Sequence, residues 1–262
     1  MLKIALVQMR VASGQYEKNL DSIGKQLKEA AALGADVAVF PECSDFGWLT
    51  PVSSGKAEEL FIKSTVTLAG LARSNNIFIA IGLTEGLSGK LFNSSVMISG
   101  DGQTLLKHRK VNLLDFEKKV YSRGTSLSTS VNPVERTALL ICADNFPQSL
   151  YLGRSLGQMG TRLILSPCSW AIKSEQNIDP DEGMWVKSYR TLSRECNMTT
   201  VAVSNVGIVE NEPWAGYKCI GNSVVVGRTG EIMLRCRFGN EEDIKVVSID
   251  YLQPHSSLGM QR

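Results

Sequence analysis

Twice along this chain an apolar run of strand length leads into an amphipathic helical stretch and on to a second apolar run. That alternation restricts the fold more than any other feature. In the first block Lys3 to Met9 is rich in β-forming residues, and Asp36 to Phe40 is strand-like again. Between them Tyr16 to Leu33 carries Leu20, Ile23, Leu27, Ala30 and Ala31 at helical spacing. Gly34 stands where a glycine closes a helix in a left-handed turn. In the second block a strand–helix pair spans Thr137 to Gly160, and Arg162 to Ser166 is a buried strand. The pattern also predicts a helix over Ala57–Ser74, a strand over Ile77–Gly82 and a helix over Met184–Cys196. Phe92–Ser99 and Thr104–Arg109 form a hairpin around Gly100-Asp101-Gly102. Further strands are expected at Thr199–Ser204, Asn222–Val226, Glu231–Leu234 and Ile244–Ile249, with a tight turn at Arg228-Thr229-Gly230 and a long loop near Ile172–Gly183. Parallel strands joined by helices need both faces covered. Two β-α-β blocks, each feeding a hairpin-like pair, therefore predict an α/β fold of two sheets packed face to face with helices outside. No linker-like shift in composition interrupts residues 1–262, which predicts a single domain.

Composition narrows the partners. Lys+Arg number 28 against 26 Asp+Glu, a net charge of +2, and the cations are scattered apart from Lys107-His108-Arg109-Lys110. A nucleic-acid binder presents a broader basic face with interleaved aromatics, so a small neutral or acidic molecule is the expected partner. The cysteines at 43, 142, 168, 196, 219 and 236 include no pair with the close spacing of a zinc site or a redox motif. Leu2 to Met9 reads as a strand and not as a leader segment. No apolar run approaches the roughly 20 residues that span a bilayer. A cytoplasmic chain with reduced thiols, binding neither nucleic acid nor membrane, is the expectation.

Three strand ends bring a reactive side chain to the point where an apolar run stops, which is where open α/β sheets place their chemistry. Val37-Ala38-Val39-Phe40-Pro41 delivers Glu42. A carboxylate just past a buried strand is desolvated, which raises its pKa toward that of a general base; the position also suits a loop or cap acid. Leu105-Leu106 leads into the basic cluster, where one lysine can turn inward from an otherwise solvated face. Ala138 to Ile141 delivers Cys142 ahead of Ala143-Asp144-Asn145-Phe146-Pro147. This cysteine is a nucleophile if it meets a base and a small buried thiol if it does not. The two histidines, His108 and His255, stand in no obvious setting for a Cys–His pair. Thiolate attack on a carbonyl or nitrile carbon needs a base for the thiol proton, a cation for the developing charge and a positioned sulfur. Glu, Lys and Cys meet that list without histidine.

Those segments, taken in order, resemble the landmarks of the nitrilase superfamily, the carbon–nitrogen hydrolases. The likeness includes Lys3-Ile4-Ala5-Leu6-Val7-Gln8, Phe40-Pro41-Glu42, and His108-Arg109-Lys110 followed by Asn112-Leu113. It continues through Glu117 with Tyr121 and Gly124, Ile141-Cys142-Ala143-Asp144 with Phe146-Pro147, Asn205-Val206-Gly207 and Gly221-Asn222-Ser223. The resemblance implies a four-layer αββα sandwich and a Glu42–Lys110–Cys142 triad, which puts the lysine role on Lys110 and not Lys107. It makes Glu117 the supporting second glutamate and needs neither metal nor organic cofactor. The expected chemistry is a thioester on Cys142, formed from a small linear amide or N-carbamoyl compound and released by water activated by Glu42. The same triad serves a nitrilase, whereas a binding-only copy of the fold is expected to have lost a triad member. Lys110 beside Cys142 is expected to lower the thiol pKa, and the Ala143 N–H is a candidate second oxyanion donor.

Three departures bear on substrate choice. Gln148 replaces a common glutamate, Ala143 replaces a common aromatic, and the loop Cys43 to Leu49 differs. Phe46, Cys168 and Trp170 are substrate-pocket candidates, although Cys168 and Trp170 serve equally as core. Arg190 and Arg194 share a helical face and are candidates for an acidic substrate only by elimination. The family implies a homodimer or larger assembly, and the short polar tail Tyr251–Arg262 is a candidate for exchange with a neighbour.

Overall fold

The structure, a computed structural model, describes residues 1–130, 136–173, 176 and 178–250. The tail considered for exchange, and His255 with it, lies outside these residues. The first half runs β1 (Leu2–Gln8), α1 (Tyr16–Ala32), β2 (Val37–Val39), α2 (Ser54–Asn75), β3 (Phe78–Leu87), β4 (Lys90–Ile98) and β5 (Thr104–Arg109). The second runs β6 (Thr129–Ser130), β7 (Thr137–Leu139), α3 (Tyr151–Gln158), β8 (Leu163–Cys168), β9 (Ala171–Ile172), α4 (Met184–Cys196) and β10 (Thr199–Ser204). It ends with β11 (Val206–Ile208), β12 (Lys218–Ile220), β13 (Val224–Val226), β14 (Ile232–Arg235) and β15 (Asp243–Ile249).

One six-stranded sheet has the order β15-β1-β2-β3-β4-β5 and the other β14-β13-β10-β8-β7-β6. The strands at the centre of each, β1-β2-β3 and β7-β8-β10, are parallel. Side-chain alternation builds the layers. Ile4, Leu6, Val37 and Val39 of the first sheet pack against Leu163, Leu165, Val201 and Val203 of the second. One register position away, Ala5 and Val7 meet Ile23 and Leu27 of α1 and Leu68 and Ala72 of α2. Ala138 and Ile164 likewise meet Leu152 and Leu156 of α3 and Leu192 of α4. The result is the four-layer helix–sheet–sheet–helix sandwich. A one-residue slip in any central strand would exchange these layers, so the register is strongly specified. Gly34 adopts φ 78° and closes α1, its N–H donating to Ala31 and that of Ala35 to Ala30.

Helix α4 and strand β10 have the bounds read from the sequence. The largest differences are three. The third strand does not stop at Gly82 but continues to Leu87 and turns at Ser88-Gly89, both with positive φ, into β4. The glycines inside it mark close approach of neighbouring backbone. A Cβ on Gly82 would lie 2.6 Å from Glu42 Cα, and one on Gly86 2.0 Å from the Ser54 carbonyl oxygen. The strand–helix pair from Thr137 to Gly160 is interrupted: β7 is followed by 3₁₀ turns at Cys142–Asn145 and Pro147–Ser149 before α3 begins. A small third sheet, β11-β12-β9, was not expected. Its strands are two or three residues long, too short for periodicity to register.

Candidate active site

Glu42, Lys110 and Cys142 follow β2, β5 and β7 and come together in the interior. Pro41 ends β2, since it has no N–H for the ladder. The chain then crosses between the sheets, the Glu42 N–H donating to the Cys168 carbonyl at 3.2 Å. Gly82 N–H donates to the Pro41 carbonyl and Ser44 N–H to the Gly82 carbonyl, at 3.0 and 2.8 Å. The carboxylate is 1% exposed. Its Oε1 accepts from Lys110 Nζ at 2.7 Å and from Asn93 Nδ2 at 2.6 Å, while Oε2 is buried without a partner.

Lys110 is also 1% exposed, whereas Lys107 turns outward to Glu85. The inward lysine is therefore Lys110. Its backbone is held by Asn93 on one side and Gly124 on the other. A Cβ on Gly124 would lie 2.0 Å from the Arg109 carbonyl oxygen, so only glycine fits there. Lys110 Nζ donates to Glu117 Oε1 at 2.7 Å as well as to Glu42. Glu117 lies in a short 3₁₀ turn and is fully buried, its second oxygen accepting from the Leu114 N–H at 2.8 Å. One ammonium thus sits between two carboxylates.

Cys142 has φ 40°, a conformation uncommon for a residue with a Cβ and one that clusters at functional turns. Asp144 holds this turn against the lysine strand. Its Oδ1 accepts from the N–H groups of Val111 and Asn112 at 3.1 and 2.7 Å. Its Oδ2 accepts from the Ile141 N–H at 3.1 Å and pairs with His108 Nε2 at 2.8 Å. Ala143, next to the sulfur, is buried within the turn.

The electrostatics of the three groups are coupled. Burial, opposed by the Lys110 charge and assisted by Glu117, raises the Glu42 carboxyl above its ordinary value. Burial disfavours the Lys110 charge, but Glu117, Glu42 and Cys142 outweigh it, and the ammonium is held well above its usual pKa. The Cys142 thiol is pushed well up by its hydrogen bond with Cys168, by burial and by Glu42. Lys110 pulls the other way and does not prevail. This reverses the expectation of a lowered thiol pKa: the neighbouring Cys168 thiol, burial and the Glu42 charge together outweigh the lysine. The resting group is a thiol, and its proton must leave as the sulfur attacks.

Asp45, three residues beyond Glu42, is fully buried and accepts from the Phe46 and Thr84 N–H groups. Burial raises it to about 7, against those hydrogen bonds. A carboxyl raised on folding stabilises the fold fully below its unfolded value of 3.8 and loses that contribution as pH climbs to about 7. The gap corresponds to roughly 4 kcal/mol. Asp45→Asn should therefore lose less thermal stability than the wild type between pH 5 and pH 8. Parallel melting curves would sink this assignment.

The pocket candidates separate. Cys168 and Trp170 pack in one cluster with Cys142, Trp185 and Tyr189, and Trp170 stacks on Trp185 at 5.5 Å. Phe46 does not reach it. It packs with Tyr16, Leu20 and Leu60 beside α1 and α2, its ring 5.5 Å from Tyr16, and is a core residue. Arg190 donates to the Gly230 carbonyl and Arg194 packs on Gly230, so both serve the β13–β14 turn.

Sequence reading overlooked three groups. Trp48 Nε1 donates to Glu117 Oε1 at 2.7 Å and its ring lies 6.0 Å from Lys110 Nζ. Asn93 and Asp144, the carboxylate that pairs with His108, are the others. Asn93 left one signal, as it opens a polar run, Asn93-Ser94-Ser95, inside the buried stretch of β4. No group of three or more potential metal ligands occurs among the described residues. Nor, among them, is any helix long and apolar enough to cross a membrane.

A family model described as carbon–nitrogen hydrolase matches residues 3–254. Omega-amidase NIT2 of Mus musculus is 29% identical over 259 residues, covering 95% of this chain and 88% of that protein. An (R)-stereoselective amidase of a Pseudomonas species is 27% identical over 251 residues, covering 95% and 85%. A carbon–nitrogen hydrolase from Helicobacter pylori G27 has the same fold, with a TM-score of 0.85 at 19% identity, covering 95% of this chain and 89% of that one.

Proposed function

The chain belongs to the carbon–nitrogen hydrolase family, and from that premise we propose that it hydrolyses a small linear amide to the acid and ammonia through a thioester on Cys142. One observation carries the residue roles: Glu42 commits Oε1 to Lys110 and Asn93 and leaves Oε2, buried and unpaired, free to take a proton. Among the described residues it is the one buried carboxylate oxygen without a partner, and a carboxylate oxygen with a free lone pair is able to accept a proton.

Glu42 accepts the Cys142 thiol proton as the sulfur attacks the amide carbon. The oxyanion is held by the Lys110 ammonium and the Ala143 N–H. Glu42 then returns the proton to the departing nitrogen, the C–N bond breaks and ammonia leaves. Water enters, gives its proton to Glu42 and attacks the thioester; collapse expels the sulfur, which takes the proton back. In the resting site Glu117 and Glu42 hold Lys110 charged, and Glu117 keeps its place beside the ammonium while Glu42 carries the proton. Such a base contributes on the order of 10²–10⁴ in rate. The same chemistry accommodates an N-carbamoyl compound, in which the acyl carbon is that of a ureido group.

Mass analysis of products from a panel of linear amides, ureido acids and nitriles tests the reading. Acid and ammonia are expected from the amides. Turnover confined to nitriles would overturn it.

A further inference from the structure

Cys168 has no part in the chemistry above, yet its thiol is placed against the nucleophile. Strands β7 and β8 are parallel neighbours with Leu139 opposite Leu165. Three residues further along each chain stand Cys142 and Cys168. Adjacent strands run about 4.8 Å apart, and a disulfide accepts Cα separations of roughly 4.4–6.8 Å. The last ladder bond runs from the Leu140 N–H to the Leu165 carbonyl, and Ile141 beyond it is still extended before the turn at Cys142. The two cysteines belong to a single apolar cluster, and each thiol feels the other electrostatically. Cys168 Sγ is itself oriented, donating to the Ser166 carbonyl at 3.3 Å and lying 3.3 Å from the Tyr189 hydroxyl. A residue needed only to fill space would call for none of this.

We propose that Cys168 is a resolving thiol that closes a reversible disulfide with Cys142 when a small hydroperoxide enters the active site. Cys142 sulfur, its proton passed to Glu42, attacks the terminal peroxide oxygen. The O–O bond breaks, the alcohol or water leaves with that proton, and Cys142 becomes a sulfenic acid. Cys168 sulfur then attacks the Cys142 sulfur; the S–O bond breaks, and hydroxide leaves with the Cys168 proton as water. Two thiols are oxidised and one peroxide is reduced. A dithiol reductant restores both thiols by exchange. The bridge removes the nucleophile from turnover and shields it from the irreversible sulfinic state. Only Cys142 must meet the oxidant, so full burial of Cys168 is no obstacle.

The proposal rests on Cys142 being the reactive thiol of the proposed function, but its readout is mass and not turnover. The whole chain is treated with hydrogen peroxide, quenched in acid with N-ethylmaleimide, digested and mapped. The expected product is a peptide pair joined through Cys142 and Cys168, which dithiothreitol returns to two free thiols. Under the same dose Cys168→Ala should accumulate sulfinic acid on Cys142. A Cys142 that stays reduced, reaches the sulfinic state in wild type while Cys168 is alkylated, or pairs with another cysteine overturns the proposal. The wild-type map decides even if the variant fails to fold. A chain that cleaves amides without forming the bridge loses this proposal alone, and one that forms the bridge without cleaving amides loses only the function.

Discussion

Lys110→Met is expected to abolish measurable turnover and, by breaking a buried ion pair worth about 3–5 kcal/mol, to lower the melting temperature by roughly 10 °C. The ammonium sits between Glu42 and Glu117, at 2.7 Å from an oxygen of each. Removing it leaves two carboxylates that are at most 1% exposed and face a common gap. Two such groups cannot both stay ionised, and one takes a proton on folding. Its folded pKa is then raised above the unfolded value, so the stability it confers is present at low pH and lost as pH rises. The deficit relative to wild type should be larger at pH 8 than at pH 5. Activity falls for a separate reason, since loss of one preformed oxyanion donor costs on the order of 10²–10³ and the base is now protonated in part of the population. The double variant Lys110→Met/Glu117→Gln separates the effects: it should regain much of the stability and none of the activity. Thermal melts across pH would count against the account if Lys110→Met melted with the wild type.

Most of the framework was legible in the sequence because helical and strand periodicities persist over many residues, as in α1, α4 and β10. What escaped depended on contacts between segments distant in the chain. Gly82 read locally as the end of a strand, while the structure uses the missing Cβ atoms of Gly82 and Gly86 to bring the Glu42 loop and the start of α2 against β3. Glu42 and Cys142 stood out because a reactive side chain at the end of an apolar run is a local anomaly, whereas the choice of Lys110 over Lys107 came from the family resemblance. The grip on all three was not legible. Asp144 joins its own turn to residues 108, 111 and 112, and Trp48 reaches Glu117 across 69 positions of sequence. Neither link leaves a periodic trace. The thiol pKa failed for a related reason: the sequence displays the cation but not the Cys168 thiol and the burial that outweigh it at Cys142.

Glu42→Gln should fold like the wild type, lose about 10²–10⁴ in kcat and accumulate an acyl group on Cys142. Glutamine keeps the geometry, because its Oε1 can accept from both Lys110 and Asn93 as the carboxylate does. What it loses is the proton-accepting oxygen, Oε2. Two steps of the cycle call on that atom, thiol deprotonation before acylation and water deprotonation before release. An activated aryl ester lightens the first, since its leaving group departs without a proton, but does nothing for the second. With such a substrate the thioester should build up, and intact-mass spectrometry should show one acyl adduct on Glu42→Gln and none on Cys142→Ala. The pH profile supplies an independent check. Because burial raises the Glu42 carboxyl above its ordinary value, wild-type kcat/KM should fall as pH drops through that raised value. The residual activity of Glu42→Gln should lack this acidic limb. An unacylated Glu42→Gln that turns over ester and amide at the wild-type rate would remove Glu42 from the role of base, and the unpaired Oε2 would then need another explanation.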